Sequence, residues 1–152
     1  MIAALYVVLT FIFSAISFGP IQVRLAMSLQ LFSFFTPAGI IGAGLGTLIS
    51  NILFGGLGVI DMVLGTISTV TCASMIYGSR KALGESIWPV AWMIPIIPTA
   101  IFVSIILNLA ANVPMFPTVW YLIAGNAIAM FIGFIIFGIL RKNKTLMDLI
   151  KK

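Results

Sequence analysis

Long apolar stretches, interrupted by Pro and Gly rather than by charge, dominate this chain. No charged residue occurs from Met1 to Val23, from Leu25 to Ile60, from Met62 to Ser79, or from Ser86 to Leu140. A helix that crosses the hydrocarbon of a bilayer takes about 20 apolar residues. Strands of a membrane barrel would instead alternate apolar and polar residues in segments of roughly ten. These runs are apolar all round, so they predict helices. Pro and Gly mark the breaks. Helix 1 is expected over Met1 to Ser17, ending at Phe18-Gly19-Pro20, and helix 2 over Gln22 to Thr36, stopping before Pro37. Helix 3 is expected over Ala38 to Leu53, with Gly55-Gly56-Leu57-Gly58 as a turn, and helix 4 over Val59 to Gly78. A polar loop, Ser79 to Pro89, holds Arg80, Lys81 and Glu85. Helix 5 is expected over Val90 to Ala110, and helix 6 over Thr118 to Leu140 after a loop with Asn112, Pro114 and Pro117. Helices 2 and 3 are short for full crossings, which leaves a broken hairpin or re-entrant pair as an alternative.

Composition takes the same side. Of 152 residues, 62% are hydrophobic and 7% charged, against about 25% charged in ordinary soluble domains. A soluble fold this short could not hide so much apolar surface. The expected fold is an all-α membrane protein, a bundle of about six transmembrane helices over 1–140 with a short basic tail over 141–152. The net charge of +5 rests on few basic residues. They read as loop anchors in the sense of the positive-inside rule, not as a nucleic-acid surface. Six spans put both termini on the side of Arg80, Lys81, Arg141, Lys142, Lys144, Lys151 and Lys152, which should be the cytoplasmic side of the plasma membrane. There Asn143-Lys144-Thr145, a match to a glycosylation sequon, would be inert. The first apolar segment lacks a basic leader and runs straight into more apolar sequence, so it reads as a retained helix.

Several chemistries drop out. There is no His, so no His-based metal site, general base or triad. A single Cys72 allows no disulfide framework within the chain. No GxxxxGK[ST] or HExxH occurs. Besides Asp61, the acids are Glu85 and Asp148, both in segments expected to be cytoplasmic. A proton-coupled transporter would normally hold an acid or His in mid-membrane. If the chain transports, the energy should come from elsewhere, and no cofactor or metal is expected.

Arg24 and Asp61 each stand alone in a long apolar stretch. Charges within the membrane are costly and tend to be functional. Both fall at the expected external ends, Arg24 at the start of helix 2 and Asp61 at the start of helix 4. Either they sit in interfacial water, or they surround an outward-facing pocket, paired with each other or with a ligand. Asn51, Asn108, Asn112, Trp120, Tyr121 and Asn126 gather at the same level. Amides and aromatic faces suit a flat, hydrogen-bonding small molecule. Trp120 and Tyr121 also fit an interfacial aromatic belt. Asn126 lies about two turns inside helix 6, where an amide needs a partner helix or a ligand. Small residues recur four apart: Gly42, Gly46 and Ser50; Gly65, Thr69 and Ala73; Gly125, Ala129 and Gly133. Such stripes let helices approach closely, within the bundle or against a partner subunit.

The run Ile2 to Arg24, IAALYVVLTFIFSAISFGPIQVR, resembles the opening of the QueT family, and the likeness continues through Phe34-Phe35-Thr36-Pro37 and Gly55 to Val70, GGLGVIDMVLGTISTV. SFGPIQVR and GLGxxD are its more specific parts. That family comprises substrate-binding S components of energy-coupling factor (ECF) transporters, linked to uptake of queuosine precursors. The resemblance implies six helices, a substrate pocket near the external face, a transmembrane coupling subunit and two ATPases as partners. Arg24, Asn51 and Asp61 fall on matching family positions. The chain departs from the pattern where Met27 and Ala38 replace family Glu residues, Thr99 a family Asn, and Asn126 a family Glu. A precursor such as aminomethyl-deazaguanine carries a cationic amine, whose burial calls for a carboxylate; Asp61 remains for that task, or the ligand is a more neutral relative. S components commonly dock through small residues spaced four apart on helix 1. Here Ala3 and Ala4 are followed at that spacing by Val7 and Val8, while Ala15 and Gly19 keep it. Against this reading stand a self-sufficient small transporter or channel and a non-transporting scaffold subunit. A membrane enzyme fits least.

Overall fold

The computed structural model describes residues 1–17, 23–55 and 57–142. Gly19, the Asn143-Lys144-Thr145 sequon and the basic tail beyond Lys142 lie outside those residues. The architecture is an all-α membrane protein with six main helices. They are α1 (Ile2–Ile12), α2 (Leu25–Phe35), α3 (Ala38–Phe54), α4 (Gly58–Leu83), α5 (Ile96–Ala111) and α6 (Met115–Leu140). A further turn, Ser14–Ser17, follows α1. By length and composition, two stretches could each cross a bilayer, Gly58–Ala91 and Met115–Leu140, while the other four are shorter apolar helices.

Two boundaries differ from the expected ones. The predicted polar loop over 79–89 is mostly helical. α4 carries Arg80 and Lys81 in its last turn and stops at Gly84, whose φ of +73° only glycine adopts without strain. A 3-10 turn, Gly84–Ile87, and a short helix, Trp88–Ala91, follow. Lys and Arg are good helix formers, so charge alone does not end a helix. α5 in turn begins at Ile96, after Pro95, rather than at Val90. α6 starts at Met115 with Pro117 in its first turn, where a missing N–H costs nothing.

α1, α3, α4, α5 and α6 pack in that order around α2, which touches α1, α3, α4 and α6. Every residue of α2 from Ala26 to Phe35 is buried. Its first seven residues, Leu25–Leu31, form a 3-10 helix, and Phe32–Phe35 a single α-turn. The small-residue stripes make these approaches possible. A methyl on Gly46 would lie 2.5 Å from Cβ of Tyr6, and one on Gly42 would lie 2.6 Å from Cβ of Ile2. A methyl on Gly133 of α6 would collide with Ser28 of α2. So Gly42 and Gly46 serve packing within the bundle, α3 on α1. Ala4 is exposed and Ala3 half-buried, and Ala15 falls in the Ser14–Ser17 turn.

Polar backbone at the end of α2 finds its partner in α4. Arg80 Nη1 donates to the carbonyls of Phe34 at 2.7 Å and Phe35 at 3.1 Å. Its Nη2 donates to Glu85, which also accepts from Arg141 at 2.8 Å. Aromatic rings fill the layer beneath: Phe32 meets Phe137 edge-on at 4.7 Å, and Trp88 lies 5.0 Å from Phe34 and 5.5 Å from Phe134. Such pairs contribute about 0.5–1.5 kcal/mol each beyond their burial. Arg80 and Arg141 cover this layer, over the Phe34 and Trp88 rings. The two kinds of contact at Arg80 should be separable by unfolding in detergent. Arg80→Met leaves two backbone acceptors unpaired and should cost about 1–3 kcal/mol. Glu85→Gln weakens the exposed ion pairs to Arg80 and Arg141 and should cost about 1 kcal/mol or less. Equal losses would show that the ion pairs, not the carbonyls, hold this end.

Candidate binding site

At the opposite end of α4 three chain segments meet. Arg24 precedes α2, Asn51 is in the last turn of α3, and Asp61 is in the first turn of α4. Arg24 Nη2 donates to Asn51 Oδ1 at 3.2 Å and lies 3.7 Å from Asp61 Oδ2. Asn51 Nδ2 donates to the backbone carbonyl of Asp61 at 2.9 Å. Asn51 therefore works in both directions, holding the guanidinium with its oxygen and the start of α4 with its nitrogen. Asp61 is only 4% exposed. A buried carboxylate needs a charge partner, since breaking such a pair by removing one side costs about 3–5 kcal/mol. Of the two expectations for Arg24 and Asp61, the paired arrangement is the one found.

Gly65 makes room for this junction. A methyl there would sit 2.7 Å from Asn51 Nδ2 and 3.2 Å from Asp61 Oδ1. One turn deeper, Thr47 of α3 donates to its own helix at the Ala43 carbonyl and meets Thr69 of α4 at 3.0 Å. The α3–α4 seam thus carries polar contacts at two successive levels, Asn51 with the Asp61 carbonyl and Thr47 with Thr69.

A narrow cavity opens beside the junction. Arg24, Met27 and Gln30 line it from α2 and the segment before it, Gly65, Ser68 and Thr69 from α4, Thr99 from α5 and Asn126 from α6. Its volume, about 20 Å³, exceeds the 10–15 Å³ that one water takes on this measure, and is far short of a bicyclic base. A base entering here would have to part the helices. Thr99 lies 3.3 Å from Cys72 Sγ. Asn126 is buried and donates to the Ile96 carbonyl at 3.1 Å.

The sequence-derived candidates divide cleanly. Arg24, Asn51 and Asp61 come together, and Asn126 joins them across the cavity. Asn108 and Asn112 shape the turn after α5 instead. Asn108 Nδ2 donates to the Val113 carbonyl at 3.0 Å, and Asn112 caps the helix at φ 53°, ψ 30°, a left-handed conformation that Asn tolerates. Trp120 and Tyr121 are 62% and 63% exposed and do not line the cavity, which suits the aromatic-belt alternative. Tyr6, Gln30 and Ser68 line the cavity and were missed. Gln30, a polar amide within an uncharged run, carried the same signal as Asn126. Among the described residues no three of His, Cys, Asp and Glu cluster as metal ligands would.

A family profile described as QueT transporter matches residues 1–142. A protein of Lactococcus lactis subsp. cremoris (strain MG1363) named "Queuosine precursor transporter QueT" is 41% identical over 76 residues, which is 49% of this chain and 44% of that relative. The matched part is therefore less than half of the relative's length. No solved structure matches the chain.

Close packing at Gly65 gives a direct test of the junction. Gly65→Ala should push the Asn51 amide off the Asp61 carbonyl and lower the melting temperature by several degrees, the effect of about 1–3 kcal/mol of overpacking. In Asn51→Ala the amide is gone, so adding Gly65→Ala should cost much less than it does alone. Additive losses would place the clash elsewhere.

Proposed function

The chain belongs to the QueT transporter family, and on that premise we propose that it is the substrate-binding S component of an ECF-type importer for a queuosine precursor or a related small heterocycle. The relative's name supplies the substrate class. The convergence of Arg24, Asn51 and Asp61, with Arg24 also lining a cavity that Gln30, Ser68 and Asn126 share, carries the reading.

In this reading the pocket end faces outward, and the end with Arg80, Glu85 and Arg141 faces the cytoplasm. The ligand's ring enters between α2, α4 and α6 and displaces little water, since the cavity holds little. Burying a cationic amine without a counter-charge would be prohibitive. Asp61 is the carboxylate at this end of the described bundle, and its Oδ2 lies 3.7 Å from Arg24, beyond hydrogen-bond reach. An incoming ammonium can take that oxygen while Arg24 keeps its bond to Asn51. At rest the nearby Arg24 guanidinium offsets part of the cost of burying Asp61.

Transport energy would come from two partner ATPases acting through a coupling subunit, because the chain carries no P-loop of its own. Its docking face would be α1 with α3. There an apolar groove of about 430 Å³ runs between Ile2, Ala3, Phe32, Ala38, Ile41 and Leu45. Gly42 lines the same groove.

Calorimetry on the purified chain in detergent tests the substrate and the role of Asp61 together. Aminomethyl-deazaguanine should bind, and binding only the native state should raise the melting temperature. Asp61→Asn should weaken it at least tenfold while the unliganded protein stays helical. Equal affinity in the folded variant would remove Asp61 from the site, and silence from the wild type across deazaguanine bases would end the substrate assignment.

A further inference from the structure

Gln30 lies on α2, one turn beyond Met27, and lines the same cavity as Arg24 and Asn126. It is 1% exposed, and its Oε1 has no hydrogen-bond partner. Its neighbours Leu29 and Leu31 are buried and apolar, and a leucine or methionine would fill similar space. A buried carbonyl oxygen without a donor is costly, so a folded protein that keeps one has a use for it.

Chemistry narrows that use. A neutral amide carries an acceptor oxygen beside a donor NH2 and no charge, so it pairs with an uncharged hydrogen-bonding edge without the counter-charge that a phosphate or carboxylate would call for. Across the cavity, Asn126 already spends its Nδ2 on the Ile96 carbonyl. Arg24, with Asp61 behind it, brings the charge to this lining. Gln30 adds an uncharged amide whose unpartnered oxygen is matched to an uncharged donor on the ring of the ligand. Resting on the function proposed above, we propose that Gln30 is the specificity-determining residue of this cavity, its amide oxygen accepting a hydrogen bond from the exocyclic amino group of an amino-pyrimidinone ring.

Two ligands and two variants test this on the full chain in detergent. The ligands are aminomethyl-deazaguanine and its analogue lacking the exocyclic amino group. The wild type should prefer the amino-bearing base by about tenfold to a hundredfold, because the analogue leaves Gln30 unpaired. Gln30→Met removes the acceptor at nearly constant volume. It should bind both compounds equally and the analogue no worse than the wild type does. Gln30→Asn keeps an amide but withdraws it by one methylene, and should also lose the preference, which covers the case in which the Met variant does not fold. A preference retained in either folded variant, or absent from the wild type, overturns the role of Gln30 and leaves the substrate assignment standing. Failure of the wild type to bind either base overturns the assignment, and this inference with it.

Discussion

A helix with no face toward lipid has to satisfy all its polar groups inside the bundle, and α2 is such a helix. Lipid offers no hydrogen bond to a polar group left unpaired within the bilayer. At its start the chain offers Arg24 to Asn51 and Asp61, and at its end Arg80 reaches across to the carbonyls of Phe34 and Phe35. Arg24 meets Asp61 at one end of α4, and Arg80 projects from the other end of that helix. α4 thus frames α2 like a bracket, and the cavity lies in the space between them. The glycines that face neighbouring helices follow from the same demand. Gly46 admits Tyr6, Gly133 admits Ser28 and Gly65 admits the Asn51 amide.

The broad fold was legible because hydropathy dominates it. Apolar runs separated by Pro and Gly give helices in lipid on period and length alone, and six emerge. The expected helix 2 came out short and unusually wound because propensity says nothing of a segment buried on every side. The expected loop over 79–89 failed for a related reason. Arg80 and Lys81 were read as solvent anchors, yet Arg80 is half-buried and bound to backbone. A charge in sequence does not say whether its partner is water or a distant carbonyl.

The site was half legible. Arg24 and Asp61 stood out as isolated charges, and Asn51 as an amide at the same level that also falls on a matching family position. Asn108, Trp120 and Tyr121 were grouped with them by depth, which ignores the angle at which a side chain leaves its helix. α6 turns Asn126 inward and Trp120 outward. Gln30 carries no charge to mark it, although an amide between Leu29 and Leu31 is nearly as conspicuous. Rotation about the helix axis is the information that a single sequence without clear amphipathic periodicity withholds.

The helices also differ in length around the bundle. α4 and α6 each hold 26 residues, whereas α3 and α5 have 17 and 16. At a rise of about 1.5 Å per residue, the long ones reach about 39 Å and the short ones about 26 and 24 Å. A hydrocarbon core of about 30 Å matches neither set. Since α3, α4, α5 and α6 follow one another around α2, short and tall walls alternate along this arc. The first shell of lipid must therefore stretch beside one helix and thin beside the next, at a cost of fractions of a kcal/mol for each ångström of mismatch. That uneven annulus gives bilayer thickness a purchase on the tilt of α4, and through α4 on the spacing between Asp61 and the helices that enclose the cavity.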